Sequence, residues 1–122
     1  MIKFLKSSFW ILILAMIFSV GAEARNYYGA ISFSQSTGAY GYAYDYKSKR
    51  GAMNAARRKC GRRDCKTPLW FRNACGALAI GNGNGYGTGW GNTRSSAKRK
   101  ALRSCRKYNR GCYIKKSVCT TR

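Results

Sequence analysis

The chain has 122 residues, with 24 Lys or Arg, three Asp or Glu and no histidine, which gives a formal net charge of +21 at pH 7. This length suits a single domain with a modest core and excludes a large multidomain protein. Because histidine is absent and carboxylates are scarce, few groups remain for general acid–base chemistry, and we expect a protein that is not an enzyme.

The N-terminus has the pattern of a secretory signal peptide. Lys3 and Lys6 supply a positive start, an uncharged apolar run covers residues 9–20, and Ala22-Glu23-Ala24 offers small residues for cleavage. The alternative is an uncleaved anchor, but the run is short for a span of about 20 residues. We therefore assign residues 1–24 to a signal peptide and residues 25–122 to one disulfide-stapled basic domain, which is periplasmic or secreted.

The domain begins with a predicted hairpin, in which residues 27–33 and 39–46 are strands and residues 34–38 are the turn. The second strand has tyrosine at every second position, so these rings share one face. We favour burial of this face under a helix. The alternative is an aromatic platform that stacks bases or sugars. The platform residues are Tyr40, Tyr42, Tyr44 and, from a later strand, Trp90.

Two helices are predicted from alanine spacing and capping residues. Ser48 can cap a helix over residues 49–59, and Thr93 or Ser95 can cap a second helix that reaches Tyr108. In both helices the side opposite the alanines is almost entirely Lys and Arg.

Four more strands are predicted over residues 66–72, 75–80, 86–91 and 112–119. Pro68 favours a late start or an edge position for the first of them. Asn82-Gly83-Asn84-Gly85 is typical of a hairpin turn. The glycines of residues 81–91 all occupy odd positions, whereas phosphate-loop motifs need glycines five apart, so no phosphate loop is predicted.

Six cysteines lie in the predicted mature part. An even count in a small exported chain favours three disulfides, and the lack of histidine and of CxxC spacing argues against a zinc site. We therefore expect no metal and no cofactor. The disulfide residues are Cys60, Cys65, Cys75, Cys105, Cys112 and Cys119.

The cysteines form two triplets, and each triplet follows the same order of Tyr/Gly-rich, basic and Cys-flanked segments. This order indicates a duplicated β-β-α-β unit, over residues 26–75 and 76–119. The predicted fold is thus a small, disulfide-rich α+β domain with an antiparallel sheet and two basic helices. Spacing leaves all 15 disulfide pairings open. The repeat favours Cys60–Cys65, Cys105–Cys112 and Cys75–Cys119.

The basic residues cluster on the two predicted helices and their ends. A solvated surface normally interleaves both signs of charge, and this one has almost no acids. The clusters therefore favour binding of a polyanion over a merely soluble surface. The candidate polyanion-binding residues are Lys49, Arg50, Arg57, Arg58, Lys59, Arg62, Arg63, Arg94, Lys98, Arg99, Lys100, Arg103, Arg106 and Lys107.

Several short segments resemble a bacterial family of exported Cys-rich domains, number 4189 in the domain-of-unknown-function series. The segments are Tyr28-Gly29-Ala30-Ile31, Thr37-Gly38-Ala39-Tyr40-Gly41, Asp64-Cys65, residues 70–79, Gly89-Trp90-Gly91 and Val118-Cys119-Thr120. The resemblance covers nearly all of the mature chain and implies export and one α+β domain. It implies no catalytic residues. The Lys and Arg of the helices depart from the family pattern, which often has Ala or Glu there.

These features predict an exported, non-enzymatic binding domain whose helices engage an anionic polymer or an acidic envelope protein, with an anionic membrane surface as a further candidate. The polymer would be a nucleic acid, lipopolysaccharide or another envelope polyanion. One alternative is a periplasmic interaction or assembly factor for a specific envelope or pilus protein. Another is a cationic antibacterial effector, against which the lack of a long amphipathic apolar face counts.

Overall fold

The computed structural model of the protein describes residues 25–121, so the predicted signal peptide over residues 1–24 lies outside the described residues and stays a prediction. The chain forms two successive β-β-α-β units. The first unit contains β1 (Tyr28–Phe33), β2 (Tyr40–Tyr46), α1 (Lys49–Cys60) and β3 (Lys66–Arg72). The second contains β4 (Cys75–Ile80), β5 (Tyr86–Gly91), α2 (Arg94–Arg106) and β6 (Tyr113–Cys119). The predicted duplication and α+β class are confirmed.

Each unit forms its own three-stranded antiparallel sheet, so the molecule has two sheets. The strand orders are β2-β1-β3 and β5-β4-β6, with the first strand of each unit in the centre. β3 is therefore an edge strand, as Pro68 indicates, because proline lacks the N–H that a central strand needs. The hairpin between β4 and β5 turns through a short 3-10 segment, Asn82–Asn84, in which Gly83 and Asn84 have positive φ.

The largest apolar side chains lie between the two sheets. β1 faces β4, β2 faces β6 and β3 faces β5, which brings the edge strands of one sheet against those of the other. The shared core consists of Ile31, Phe33, Leu69, Phe71, Ala74, Leu78, Ile80 and Val118. Burying large side chains here is the main favourable term for a domain of this size.

The outer face of each sheet is covered by a helix. Alanines of α1 pack on Ala30 and Ala43, and alanines of α2 pack on Ala77 and Ala79. The order of layers is therefore helix, sheet, sheet, helix. Small side chains on the outer faces let each helix lie close to its sheet.

Both helices begin at the residues that the sequence indicates. The hydroxyl of Ser48 accepts a hydrogen bond from the Gly51 N–H at 3.0 Å. The hydroxyl of Thr93, rather than that of Ser95, accepts one from the Ser96 N–H at 3.1 Å. Each bond satisfies an N–H that the first turn leaves without a helical partner. α2 ends at Arg106 and does not reach Tyr108.

The three disulfides have the pairing that the repeat favours. Cys60–Cys65 and Cys105–Cys112 join the end of a helix to the segment before the last strand of the same unit. Cys75–Cys119 joins opposite positions of β4 and β6. Cys60–Cys65 in the first unit and Cys105–Cys112 in the second occupy equivalent positions, as the duplication predicts.

Candidate functional site

The cations of α1 point away from the sheet because the helix is held by its opposite side. Ala52, Ala55, Ala56 and Cys60 are buried. Among the remaining positions Met53 is partly buried beside these alanines, and the others include a cluster of exposed cations in and just beyond the helix. These exposed residues are Lys49, Arg50, Arg57, Arg58, Lys59, Arg62 and Arg63.

α2 has the same arrangement on the other sheet. Ala97, Ala101 and Cys105 are buried, and all the candidate cations of this helix are exposed except the half-buried Lys98. The guanidinium of Arg94 donates to both the carbonyl and the hydroxyl oxygen of Ser117 at 2.8 Å, so Arg94 is tied to β6. The other exposed cations of this surface are Arg99, Lys100, Arg103, Arg106 and Lys107.

The two basic surfaces do not merge into one, because α1 and α2 occupy opposite outer layers. Three layer spacings of about 10 Å place the helix axes about 30 Å apart. The sequence predicts both clusters but not that they face in opposite directions. One flat partner can therefore touch only one cluster at a time.

Tyr40 and Tyr42 of β2 face the second sheet and not a helix, whereas Tyr46, which follows the positive φ of Asp45, packs with the alanines on the α1 side. Tyr40 and Tyr42 are half-buried and pack against the core between the sheets, whereas Tyr44 is 49% exposed. Cations cover the half-buried rings: the Lys116 Nζ lies 4.3 Å from the Tyr42 centroid, and the Lys115 Nζ lies 5.6 Å from that of Tyr40. α1 lies on the opposite face of β2 because Gly and Ala there allow a closer approach.

The structure does not bring Trp90 to the tyrosines. Trp90 lies on β5, which faces β3. A cleft of about 500 Å³ at this edge is lined by Trp90, Trp70 and Arg72. Trp70 and Trp90 are 42% and 53% exposed. One lysine covers each ring: the Nζ of Lys49, from α1, lies 4.4 Å from the Trp70 centroid, and the Nζ of Lys100, from α2, lies 5.5 Å from the Trp90 centroid. Trp70 was not among the candidate site residues predicted from the sequence. Trp70 alternates with the apolar Leu69 and Phe71 along β3, and this alternation indicated that its side chain lies on the other face of the strand.

The two acids of the described residues are held by hydroxyl and amide groups. Asp64 accepts hydrogen bonds from the Ser34 hydroxyl at 2.7 Å and from the Ser36 hydroxyl at 2.6 Å. These donors hold the pKa of Asp64 below its ordinary value, with Ser36 contributing most. Asp45 accepts from the Thr121 N–H at 2.8 Å and from the Thr121 hydroxyl. The first contact anchors the β1–β2 turn beside Cys65, and the second ties the C-terminal segment to β2.

We expect Asp64→Asn to lower the thermal midpoint at pH 7, because the amide cannot accept all the hydrogen bonds that the carboxylate accepts. Because the pKa of Asp64 is lower in the folded than in the unfolded protein, the carboxylate stabilises the fold at every pH above the unfolded-state pKa. This stabilisation is lost as the pH falls through the folded-state pKa. The midpoints of wild type and variant should therefore converge as pH falls below about 4. Thermal unfolding followed by circular dichroism from pH 7 to pH 2 measures this. Ser36→Ala is the matched control and should reduce the same pH dependence; a midpoint difference that persists at pH 2 would contradict the assignment.

Neither a membrane-spanning helix nor a metal-binding group is found among residues 25–121. No helix in that range is long and apolar enough to cross a bilayer. No group of three or more His, Cys, Asp or Glu in the same range could hold a metal ion.

The geometry defines a class of small α+β domain: two β-β-α-β units, three disulfides, and a basic helix on each outer face. Residues 28–119 match the family model described as "Domain of unknown function (DUF4189)". The chain belongs to this family.

Relatives of this chain occur in mycobacteria. The uncharacterized protein Rv1813c of Mycobacterium tuberculosis (strain ATCC 25618 / H37Rv) is 40% identical over 76 residues, which cover 62% of this chain and 51% of that protein. The uncharacterized protein Mb1843c of Mycobacterium bovis matches with the same identity and coverage. The chain thus spans about half the length of these relatives.

The NMR structure of Rv1813c from Mycobacterium tuberculosis is similar to the fold of this chain. The TM-score is 0.58 at 33% sequence identity, and the match covers 76% of this chain and 74% of that chain. The likeness supports the fold described above.

Proposed function

We propose that this protein is an exported, non-enzymatic binding domain that engages an anionic partner through the Lys and Arg side chains of α1 and α2. The partner would be a nucleic acid, lipopolysaccharide or another envelope polyanion. The observation that carries the proposal is the exposure of the two helical cation clusters, with no acid on either helix. Such surfaces attract polyanions and release their counterions on binding.

The positions of the two acids in the described residues also support polyanion binding. Asp45 and Asp64 bond to Thr121, Ser34 and Ser36, and neither lies on α1 or α2. Only two of the 24 Lys and Arg lie in residues 1–24, so nearly all of the positive charge belongs to the domain. The absence of histidine from the sequence supports a role in binding rather than catalysis.

A periplasmic or secreted location is part of the proposal. All six cysteines are joined in disulfides, and such bonds form and persist in oxidising compartments. The predicted signal peptide over residues 1–24 supports the same location.

The test is the salt dependence of binding to duplex DNA, heparin and lipopolysaccharide. If one helical face neutralises about five phosphates, affinity for DNA should fall roughly 500-fold between 50 and 200 mM salt, whatever the DNA sequence. Titrations by fluorescence anisotropy measure this. Affinity that is flat across this range for all three polyanions would overturn the proposal.

A second candidate is an interaction or assembly factor for a specific envelope protein, and the cleft beside Trp70 and Trp90 favours it. Exposed tryptophans beside a cleft are typical of protein-binding hot spots. In that case a partner recovered from an envelope extract should stay bound at high salt. It should be lost on Trp70→Ala or Trp90→Ala and tolerate neutralisation of single helix cations.

A further inference from the structure

The two cation clusters are matched in size and face in opposite directions. α1 with the turn after it and α2 with the residue after it each supply seven of the candidate cations, although Lys98 is half-buried and Arg94 is tied to β6. Two sheets and their shared core separate the clusters. A protein with one binding surface needs only one of them, so the opposed pair requires its own explanation.

We propose that the protein bridges two phosphate-bearing lipid surfaces, binding one through α1 and the other through α2. This inference rests on the proposed function and adds both the kind of partner and the valency. Each cluster attracts anionic headgroups electrostatically, as juxtamembrane basic segments do. Neither helix needs to enter the bilayer.

The shape of the clusters favours a surface over a nucleic acid. Each helix is the outermost layer, so its cations project from a convex face, whereas proteins that hold single strands use a charged groove. The exposed side chains of α1 other than its cations offer only Asn54 for reading a base edge. A convex, cationic face suits contact with a plane of phosphates.

The segment after α2 adds an aromatic residue to the cations. Tyr108 is 89% exposed and follows Arg106 and Lys107 directly. Tyrosine with flanking cations is typical of protein segments at the headgroup level of membranes. The exposed Trp70 and Trp90 lie on the edge strands β3 and β5, where Lys49 of α1 and Lys100 of α2 cover them.

The layers set the distance between the bridged surfaces. Four layers of about 10 Å each give a thickness of about 40 Å from the outside of α1 to the outside of α2. Bilayers joined by one protein should therefore be separated by a gap of about 40 Å.

The experiment uses the oxidised domain from residue 25 onward, because the described fold lies entirely within that region, and vesicles containing phosphatidylglycerol. Wild-type protein should cluster these vesicles and leave neutral phosphatidylcholine vesicles dispersed. Clustering should rise and then fall with protein concentration, because excess protein occupies every surface separately. Small-angle X-ray scattering of the clusters should show the gap of about 40 Å; a gap twice as wide would indicate a protein dimer with one membrane-binding face per copy, and would overturn the proposal.

Three variants with the same loss of charge separate geometry from charge. The α1 variant replaces four cations with Gln at Arg50, Arg57, Arg58 and Arg62. The α2 variant does so at Arg99, Arg103, Arg106 and Lys107. The divided variant does so at Arg50, Arg57, Arg103 and Arg106. All of these residues are exposed, and circular dichroism checks that each variant keeps the wild-type fold.

Clustering is compared at equal amounts of bound protein, measured by vesicle sedimentation. We expect the α1 and α2 variants to bind vesicles through the remaining face but to cluster them at least tenfold less. The divided variant should cluster vesicles like wild type. Equal clustering by all three variants would show that only total charge matters, and would overturn the bridging geometry.

Binding of the wild type to DNA and heparin separates this proposal from the more general one. If these ligands bind with the expected salt dependence but phosphatidylglycerol vesicles do not bind, the lipid assignment is wrong while polyanion binding stands. If the protein clusters duplex DNA but not vesicles, the bridged partner is nucleic acid and the lipid proposal is likewise overturned. A protein that binds none of DNA, heparin, lipopolysaccharide and phosphatidylglycerol vesicles contradicts both proposals.

Discussion

Replacing both Cys75 and Cys119 with alanine is expected to lower the free energy of unfolding by about 4 kcal/mol. The bond closes a loop with a sequence separation of 44 residues, which spans the whole second unit. Its removal restores the conformational freedom of that loop to the unfolded chain. The second unit also carries a cationic helix whose like charges oppose compaction, so we expect this variant to be only marginally folded at 37 °C.

The matched control is the Cys60→Ala, Cys65→Ala double variant. That bond has a sequence separation of only 5, and its loss should cost about 2 kcal/mol in the same chain-entropy model. Urea unfolding of both variants and wild type, under non-reducing conditions, measures the difference. Equal costs for the two bonds would show that loop length is not the source of the stabilisation.

Adding one methyl group at Gly41 or Gly87 should be almost as damaging. A Cβ at Gly41 would overlap the Ala56 carbonyl oxygen and the Cys60 N–H, and a Cβ at Gly87 would overlap the Cys105 N–H. These contacts are with the backbones of α1 and α2, which cannot move away as a side chain can. We expect Gly41→Ala and Gly87→Ala each to lower the free energy of unfolding by about 3 kcal/mol, the upper end of the usual cost of overpacking.

Gly83→Ala is the control for the loss of glycine itself. Gly83 has a φ of +66° and an added Cβ there would meet nothing within 4 Å. Only the cost of a left-handed backbone remains, about 1 kcal/mol. Chemical denaturation gives all three values; a cost at Gly41 no greater than at Gly83 would mean that the helix can shift outward to accept the methyl group. The same variants test whether α1 and α2 pack equivalently, since the two glycines occupy equivalent positions of the duplication.

The features that the sequence predicted well are those with local signals. Ser48 and Thr93 precede alanine-spaced segments, and both cap helices because a side-chain oxygen beside the first turn is all that a cap requires. The alternation in β2 placed Tyr40 and Tyr42 on one face, but Tyr46, after the positive φ of Asp45, lies on the other. The duplicated order of segments paired the cysteines, since equivalent cysteines of two similar units make equivalent bonds.

Apart from the disulfides, contacts between distant residues were not predictable from the sequence. Asp64 bonds to Ser34 across 30 positions of the chain, and Trp70 and Trp90 line the same cleft only because β3 and β5 are opposed edge strands. Parity shows which side chains share a face of a strand, but not what lies against that face. For the same reason the tyrosines of β2 were expected to lie under a helix, whereas the second sheet covers Tyr40 and Tyr42.

By itself, the sequence determined the strongly basic character of this protein, its duplicated β-β-α-β order and the two cationic helices, and it favoured one disulfide pairing among 15. Each of these depends on composition or on neighbours along the chain. Only the tertiary structure decided that the two sheets pack face to face and place the helices on opposite sides. Large apolar side chains on the inner faces fill the space between the two sheets, and small side chains on the outer faces let a helix lie close. Because each sheet must bury both of its faces, this difference in side-chain size decides which face packs on the other sheet and which packs on a helix.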